Sequence, residues 1–377
     1  MWGTFYGIVL LYNWRKKETK MSNEMKTNYK MKMSDKMFDL WKAQLPEKTT
    51  EILARVTAVY KERYALLWEE GELYGRLKTK EYYAGGEEFP TVGDMVLVRL
   101  KPGGDSLIVK TLERRTFFSR LNPTPGRGEQ AVAANFDYVF LMQSLNQDFN
   151  LRRMERYLTM AWESGALPVV LLTKADLVET YAEQLRSMEQ IAAGAAVYAI
   201  SARTGEGMEA LQRYLQPGKT VALLGSSGVG KSSLVNALTG SSVMAVNGIR
   251  EADSRGHHTT THRQLLVLDN GAMLIDTPGM RELGMWKLNS GLEEAFPDVE
   301  QYLGCCRFRD CRHETEPGCA IRQAIADGEL SMERWKNYCT LKKEGGYARE
   351  TASFLREKEK WHKAIAKTNR QRRRLSE

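Results

Sequence analysis

Apolar residues fall at every second position from Ile52 through Ala54, Val56 and Ala58 to Tyr60, the spacing of a half-buried strand. Short apolar runs follow at 64–68, 73–77, 95–100 and 107–112, separated by the turn clusters Glu69-Glu70-Gly71, Gly85-Gly86, Gly93-Asp94 and Pro102-Gly103-Gly104-Asp105. Five short strands in about sixty residues fit a small barrel of the oligonucleotide-binding type, and strand counting alone fits an SH3-like barrel as well. From 136 the pattern changes. Apolar runs at 136–142, 168–173, 197–200, 220–224, 265–268 and 273–275 alternate with helical stretches such as 151–164 and 208–215. That alternation predicts a three-layer α/β domain with a largely parallel sheet.

The ends of the chain lack this order. Residues 1–45 are rich in Lys and Met without a clear period and read as a basic, weakly ordered tail. The apolar stretch 2–14 is too short to span a bilayer, and its charges (Arg15, Lys16, Lys17) follow it, where a signal peptide has them in front. The expectation is a mobile or wrongly assigned start, in the second case with the initiator among the methionines from 21 to 37, rather than a membrane anchor. The expected segments are therefore a tail (1–45), a barrel (46–118), an α/β domain (119–290) and a helical, Cys/His-bearing domain (291–377).

Composition narrows the class. The chain has 377 residues, 42% hydrophobic and 27% charged, as in soluble globular proteins of two or three domains. A formal charge of +8 favours a polyanionic partner without proving one. Four of the five cysteines lie between 305 and 319, which points to metal binding in a reducing, cytoplasmic setting rather than to a disulfide framework.

The sharpest motif is Gly225-Ser226-Ser227-Gly228-Val229-Gly230-Lys231-Ser232, which matches GxxxxGK[ST] between an apolar strand and a predicted helix from Ser233. Glycines let backbone N–H groups turn onto phosphate oxygens at a helix N-terminus that favours anions. Lys231 would reach the β- and γ-phosphates, and the Ser232 hydroxyl would ligate magnesium. The bland reading is a Gly/Ser turn leading into a helix. Asp276-Thr277-Pro278-Gly279 follows another strand. Asp276 is placed to hold magnesium through water, and Gly279 to offer its N–H to a γ-phosphate.

A base site precedes both. Thr173-Lys174-Ala175-Asp176 ends a strand; one carboxylate, that of Asp176, can accept both adjacent N–H groups of guanine, with the Lys174 stem over the ring. Ser201 and Ala202 end the next strand and could supply a backbone N–H to the guanine oxygen. A lone TKxD is as readily a capped helix start, but beside a phosphate loop the pair reads as guanine recognition. The base motifs precede the phosphate motifs, the reverse of ordinary GTPases. A parallel sheet can be cut at one connection and rejoined at another without moving its sites.

With the Gly256-His257-His258-Thr259-Thr260-Thr261 segment and the cysteine cluster, this order resembles the ribosome small-subunit-dependent GTPase A (RsgA-type) family across roughly 50–340. The resemblance implies an oligonucleotide-binding-type (OB-fold-like) barrel, a circularly permuted P-loop GTPase domain and a C-terminal α-helical zinc-binding domain. It also implies a partner of the small ribosomal subunit and its rRNA; with the motifs and cysteines above, the expectation is a cytoplasmic monomer that binds GTP and GDP with magnesium. Its role would be late subunit maturation with subunit-stimulated hydrolysis. Cys306, Cys311, His313 and Cys319 then form a closed structural zinc set, the family spacing selecting Cys306 over Cys305.

Thr259 or Thr260 could complete the magnesium shell. Met280 stands where many GTPases place a water-orienting Gln, so slow intrinsic hydrolysis is expected, with His258 or the ribosome supplying the missing function. His258 reads equally as an exposed loop histidine. Lys358, Lys360, Lys363, Lys367, Arg370 and Arg372–Arg374 form a basic tail, either a solvated helix face or an RNA-phosphate contact. Rival classes are a nucleic-acid-stimulated ATPase, which Asp176 argues against, and a module that binds GTP without hydrolysing it.

Overall fold

The computed structural model describes residues 41, 50–61, 63–77, 89–121, 129–146, 148–192, 194–240, 264–276 and 290–346. The expectations for His257, His258, Thr259, Thr260, Thr261, Thr277, Pro278, Gly279, Met280 and the basic tail from 347 lie outside the described residues, as does almost all of 1–45. In chain order, the first strands are β1 (Ile52–Val59), β2 (Tyr64–Trp68), β3 (Gly71–Leu77), β4 (Met95–Arg99) and β5 (Ser106–Thr111). A hairpin of β6 (Phe117–Leu121) and β7 (Glu129–Ala134) follows, then β8 (Tyr138–Ser144), β9 (Leu167–Thr173), β10 (Ala196–Ile200) and β11 (Thr220–Gly225). The last two are β12 (Gln264–Val267) and β13 (Met273–Asp276).

The chain divides into two compact units, one drawn from Met1–Arg114, Tyr214–Thr220 and His262–Asp276, the other from Arg115–Arg213, Val221–Thr261 and Thr277–Glu377. In the first, the order β1-β2-β3-β5-β4 returns to β1 through β4, closing a five-stranded barrel. Only β3 and β5 run parallel among these pairs. Closure buries Ala54, Val56, Leu66, Val96, Val98 and Ile108 together, each large apolar side chain contributing about 1.5–3 kcal/mol. The apolar runs at 265–268 and 273–275, expected as strands of a largely parallel sheet, form an antiparallel hairpin, and β12 meets β1 at Ala58 and Gln264. Its tight Asp269-Asn270-Gly271 turn permits only the antiparallel arrangement; parallel partners need a crossover.

A buried ion pair joins the turn before β4 to the segment after β5. Asp94, fully buried, accepts two bonds of 2.8 Å from Arg114 and one of 2.7 Å from the Thr91 N–H.

In the second unit, β10, β9, β8 and β11 form a parallel sheet in that order. Nearly every residue of β8, β9 and β11 is buried, the continuous apolar pattern of strands covered on both faces. Helix α1 (Leu151–Glu163) starts where the Asn150 side chain accepts the Arg153 N–H, and it buries Met154, Leu158 and Ala161. Helix α2 (Ala182–Ile191) and helix α3 (Lys231–Thr239) follow β9 and β11. The stretch expected as a helix at 208–215 is a 3-10 helix over Met208–Arg213. The β6–β7 hairpin was not foreseen. It is pinned by Phe118 stacked on Phe136 at 4.8 Å and by Thr116, whose hydroxyl donates to the Phe136 carbonyl and accepts its N–H.

The chain ends in short helices α4 (Gly291–Ala295), α5 (Pro297–Glu300) and α6 (Ala320–Ala326), then α7 from 332, described to 346. Arg334 on α7 is buried and reaches Glu155 of α1 at 2.7 Å, both oxygens of Asp298 at 2.8 Å and the Ala295 carbonyl at 2.9 Å. Its guanidinium also lies 4.2 Å from the centre of the Phe296 ring.

Replacing Asp94 with Ala leaves the Arg114 charge buried without its carboxylate. Denaturant unfolding is expected to show a loss of about 3–5 kcal/mol, and a loss below about 1 kcal/mol would remove the pair from the barrel's support.

Candidate functional site

The phosphate loop joins β11 to α3. Gly225 ends the strand so close to β8 that a Cβ there would stand 2.7 Å from the Met142 carbonyl oxygen, so only glycine fits. Gly230 caps α3 at φ 105°, a left-handed position that other residues rarely adopt. The helix begins at Lys231, two residues earlier than the pattern suggested. Its first turn therefore aims the N–H groups around Ser232 and Ser233 at the loop. The Lys231 ammonium lies across the loop, donating to the carbonyls of Gly225 at 2.6 Å and Ser226 at 2.8 Å. Ser227 and Gly228 are exposed at the tip, and Val229 is buried beneath it.

Asp148, in the connection after β8, was not singled out by sequence reasoning. Its carboxylate accepts the Ser226 hydroxyl at 2.9 Å and the Arg153 guanidinium at 2.7 Å. The hydrogen bond to Asp148 raises the pKa of Arg153.

The base motif lies at the end of β9, beside this loop. The Thr173 hydroxyl donates to the Val229 carbonyl at 2.6 Å, which ties the two motifs together. Lys174 takes a left-handed backbone, φ 62°, and Ala175 to Leu177 turn as a short 3-10 helix carrying Asp176. The Asp176 carboxylate is 9% exposed. One oxygen accepts the Ser201 hydroxyl at 2.6 Å and the other accepts the Arg203 guanidinium at 2.8 Å. The Ser201 hydroxyl, and then Arg203 against the opposing effect of burial, hold the Asp176 carboxyl below its ordinary range. The Ser201 backbone N–H donates to the Glu206 carbonyl at 2.9 Å. Of the two N–H groups expected to face the guanine oxygen, that of Ser201 is thus committed within its own loop. Sequence reasoning named Ser201 only for its backbone and missed Arg203, whose carboxylate partner follows the neighbouring strand and lies 27 residues earlier in the chain.

Cys306, Cys311, His313 and Cys319 bring their ligand atoms within 4.8 Å of one another. His313 Nδ1 lies 3.4, 3.7 and 3.5 Å from the sulfurs of Cys306, Cys311 and Cys319, and Cys306 lies 4.0 Å from Cys319. Ligands on a tetrahedral zinc would stand roughly 3.6 Å (S to N) and 3.8 Å (S to S) apart from standard bond lengths, so the set could hold such a metal. Burial and then the neighbouring thiols push Cys311 up to about 11, a protonation that a bound cation would reverse. Cys305 points away, its thiol facing the Gln301 carbonyl.

His313 itself has φ 64°. The turn is fastened by Glu316, whose carboxylate accepts the N–H groups of Arg312, Glu314 and Thr315 and is held down to about 2 by them. Trp335 of α7 lies edge-on to the His313 ring at 5.4 Å. Asp276 ends β13, paired in register with Gln264.

Elemental analysis is expected to find one tightly held divalent metal per chain. Cys306→Ala should lose it and Cys305→Ala should keep it; the opposite pattern would transfer the ligand role to Cys305.

A family model described as RsgA GTPase matches residues 111–286. The chain is 46% identical over 325 residues to the small ribosomal subunit biogenesis GTPase RsgA 2 of Listeria monocytogenes, covering 85% of this chain and 92% of that one. Among solved structures it resembles YjeQ from Thermotoga maritima, with a TM-score of 0.59 at 26% identity over 78% of this chain and 98% of that chain. It also shares the fold of YloQ, described as a circularly permuted GTPase, with a TM-score of 0.55 at 23% identity over 80% of this chain and 97% of that one. Carrying its base motif ahead of its phosphate loop on one parallel sheet, this chain belongs to the RsgA GTPase family.

Proposed function

We propose that the protein is a GTPase of small ribosomal subunit biogenesis, a checkpoint that binds the subunit late in its maturation and hydrolyses GTP in response to it. The observation that carries this reading is the Thr173–Val229 hydrogen bond, which holds a guanine-type carboxylate motif against a phosphate loop. The relatives' names supply the ribosomal direction.

In this reading Thr173, Lys174, Ala175 and Asp176 form the base pocket. The Ala202 N–H meets the guanine oxygen, beside Ser201, and the loop from Gly225 to Ser233 wraps the phosphates. Ser232, Asp276 and Thr259 or Thr260 would hold magnesium, which would supply positive charge against the phosphate oxygens. Lys231 adds a fixed positive charge, and Gly279 offers its N–H to the departing group. With Met280 unable to orient water, His258 or the subunit completes the site. Cys306, Cys311, His313 and Cys319 would hold zinc as a closed set of four protein ligands, whose work would be structural.

The five-stranded barrel is of the oligonucleotide-binding type, a reading that the parallel β3–β5 pairing and the β1–β4 closure support. It contacts rRNA with the basic tail. In this reading the protein works as a cytoplasmic monomer; no helix among the described residues is long and apolar enough to cross a membrane.

Turnover of GTP and ATP with and without small ribosomal subunits, at fixed salt, tests the proposal. The expected result is GTP-selective hydrolysis that is slow alone and accelerated by the subunit. Selective turnover without acceleration would remove the ribosomal trigger, and a preference for ATP would overturn the assignment of Asp176. Lys231→Ala is expected to lower kcat/KM by at least about a hundredfold.

A further inference from the structure

Two groups hold the Asp176 carboxylate, and they are unlike. The Ser201 hydroxyl bonds one oxygen at 2.6 Å and can swing with it, since a hydroxyl rotates to suit its acceptor. Arg203 bonds the other oxygen through Nε at 2.8 Å and Nη2 at 2.7 Å, and its guanidinium is planar and rigid. Its side chain is 73% exposed, whereas the Asp176 side chain that it grips is 9% exposed.

Reading guanine is a demanding task for a carboxylate. N1–H and the exocyclic N2–H point the same way in one plane, so both carboxylate oxygens must lie in that plane together. The angle that sets this is the last side-chain torsion of Asp, which is broad unless something fixes it. We infer that Arg203 is a positioning residue for base selectivity: its two N–H groups lock the plane of the Asp176 carboxylate so that both oxygens face guanine together. Hypoxanthine, which lacks the exocyclic amine, needs only one of them and gains less from the lock. The inference rests on the reading of Asp176 as the guanine acceptor.

Binding of GDP and IDP to the full chain and its Arg203→Ala, Arg203→Lys and Asp176→Asn variants tests this, together with GTP turnover. Arg203→Ala is expected to weaken GDP by about tenfold and IDP by less than about threefold, so that discrimination between them narrows. KM for GTP should rise in step while kcat stays within about twofold, because Arg203 touches no reacting atom. Lys keeps the charge but not the fork, so Arg203→Lys should recover only part of the loss.

The pH profile gives a second readout. Binding requires the ionised carboxylate, and Arg203 holds its pKa down, so the acid limb of GDP binding should move to higher pH in Arg203→Ala. A role confined to supporting the loop would weaken GDP and IDP equally and leave that limb in place, and either result would overturn the inference. So would full recovery by Lys, which would make charge alone sufficient. Asp176→Asn separates the underlying reading. It should turn preference from guanine towards xanthine nucleotides, whose carbonyl at position 2 suits an amide donor; unchanged guanine preference would sink the base site itself, whatever Arg203 does.

Discussion

The Thr173 hydroxyl donates to the Val229 carbonyl across 2.6 Å in a buried setting, and through it the strand that ends in the TKAD motif meets the phosphate-loop motif. Losing such a donor would leave a buried carbonyl without its partner, at a cost of about 1–3 kcal/mol. The bond also sets how far the TKAD motif stands from the phosphate-loop motif. Everything around it is built to keep it in place. β8 lies between β9 and β11 in a parallel sheet covered on both faces, and Gly225 lets β11 approach β8 without a side chain in the way.

This arrangement explains why the reversed order of motifs does no harm. The sites are assembled from strand ends, and hydrogen bonding between strands depends on their register and direction rather than on which comes first in the chain. Val221 to Gly225 pair in register with Tyr138 to Met142, and Leu167 to Thr173 pair with Tyr138 to Ser144. Moving the point where the chain is cut alters which loops connect these strands and leaves the pairing alone.

The C-terminal part depends on two different kinds of tie. The Cys/His segment has little apolar surface of its own, so a metal ion and the Glu316 turn would do what a core does elsewhere. Arg334 then fastens α7 to α1 through a buried network in which Glu155, Asp298 and a backbone carbonyl each take part of its charge. Trp335, its neighbour in sequence, faces His313. One turn of helix thus touches both the helix after β8 and the metal-binding turn.

Much of this was legible in the residues. Alternation and turn chemistry located β1 to β5, and apolar runs located β8 to β11, each within two residues or so, because strand spacing and Gly/Pro punctuation are local properties. The phosphate loop, the base motif and the cysteine cluster were legible for the same reason: each is a short run whose chemistry needs particular residues at fixed spacing. The β6–β7 hairpin was not, since its alternation is weak and its anchor, Phe118 on Phe136, joins segments that look unrelated in sequence. The β12–β13 strands were located without their antiparallel pairing, because periodicity names a strand without naming its partner. Sequence alone determined which chemical groups the protein has and what local backbone presents them. Only the folded chain decided which side chains meet: Arg203 with Asp176, Ser226 with Asp148 and Glu155 with Arg334 lie 27, 78 and 179 residues apart. Contacts at such separations are set by sheet order and loop closure, on which no local pattern bears.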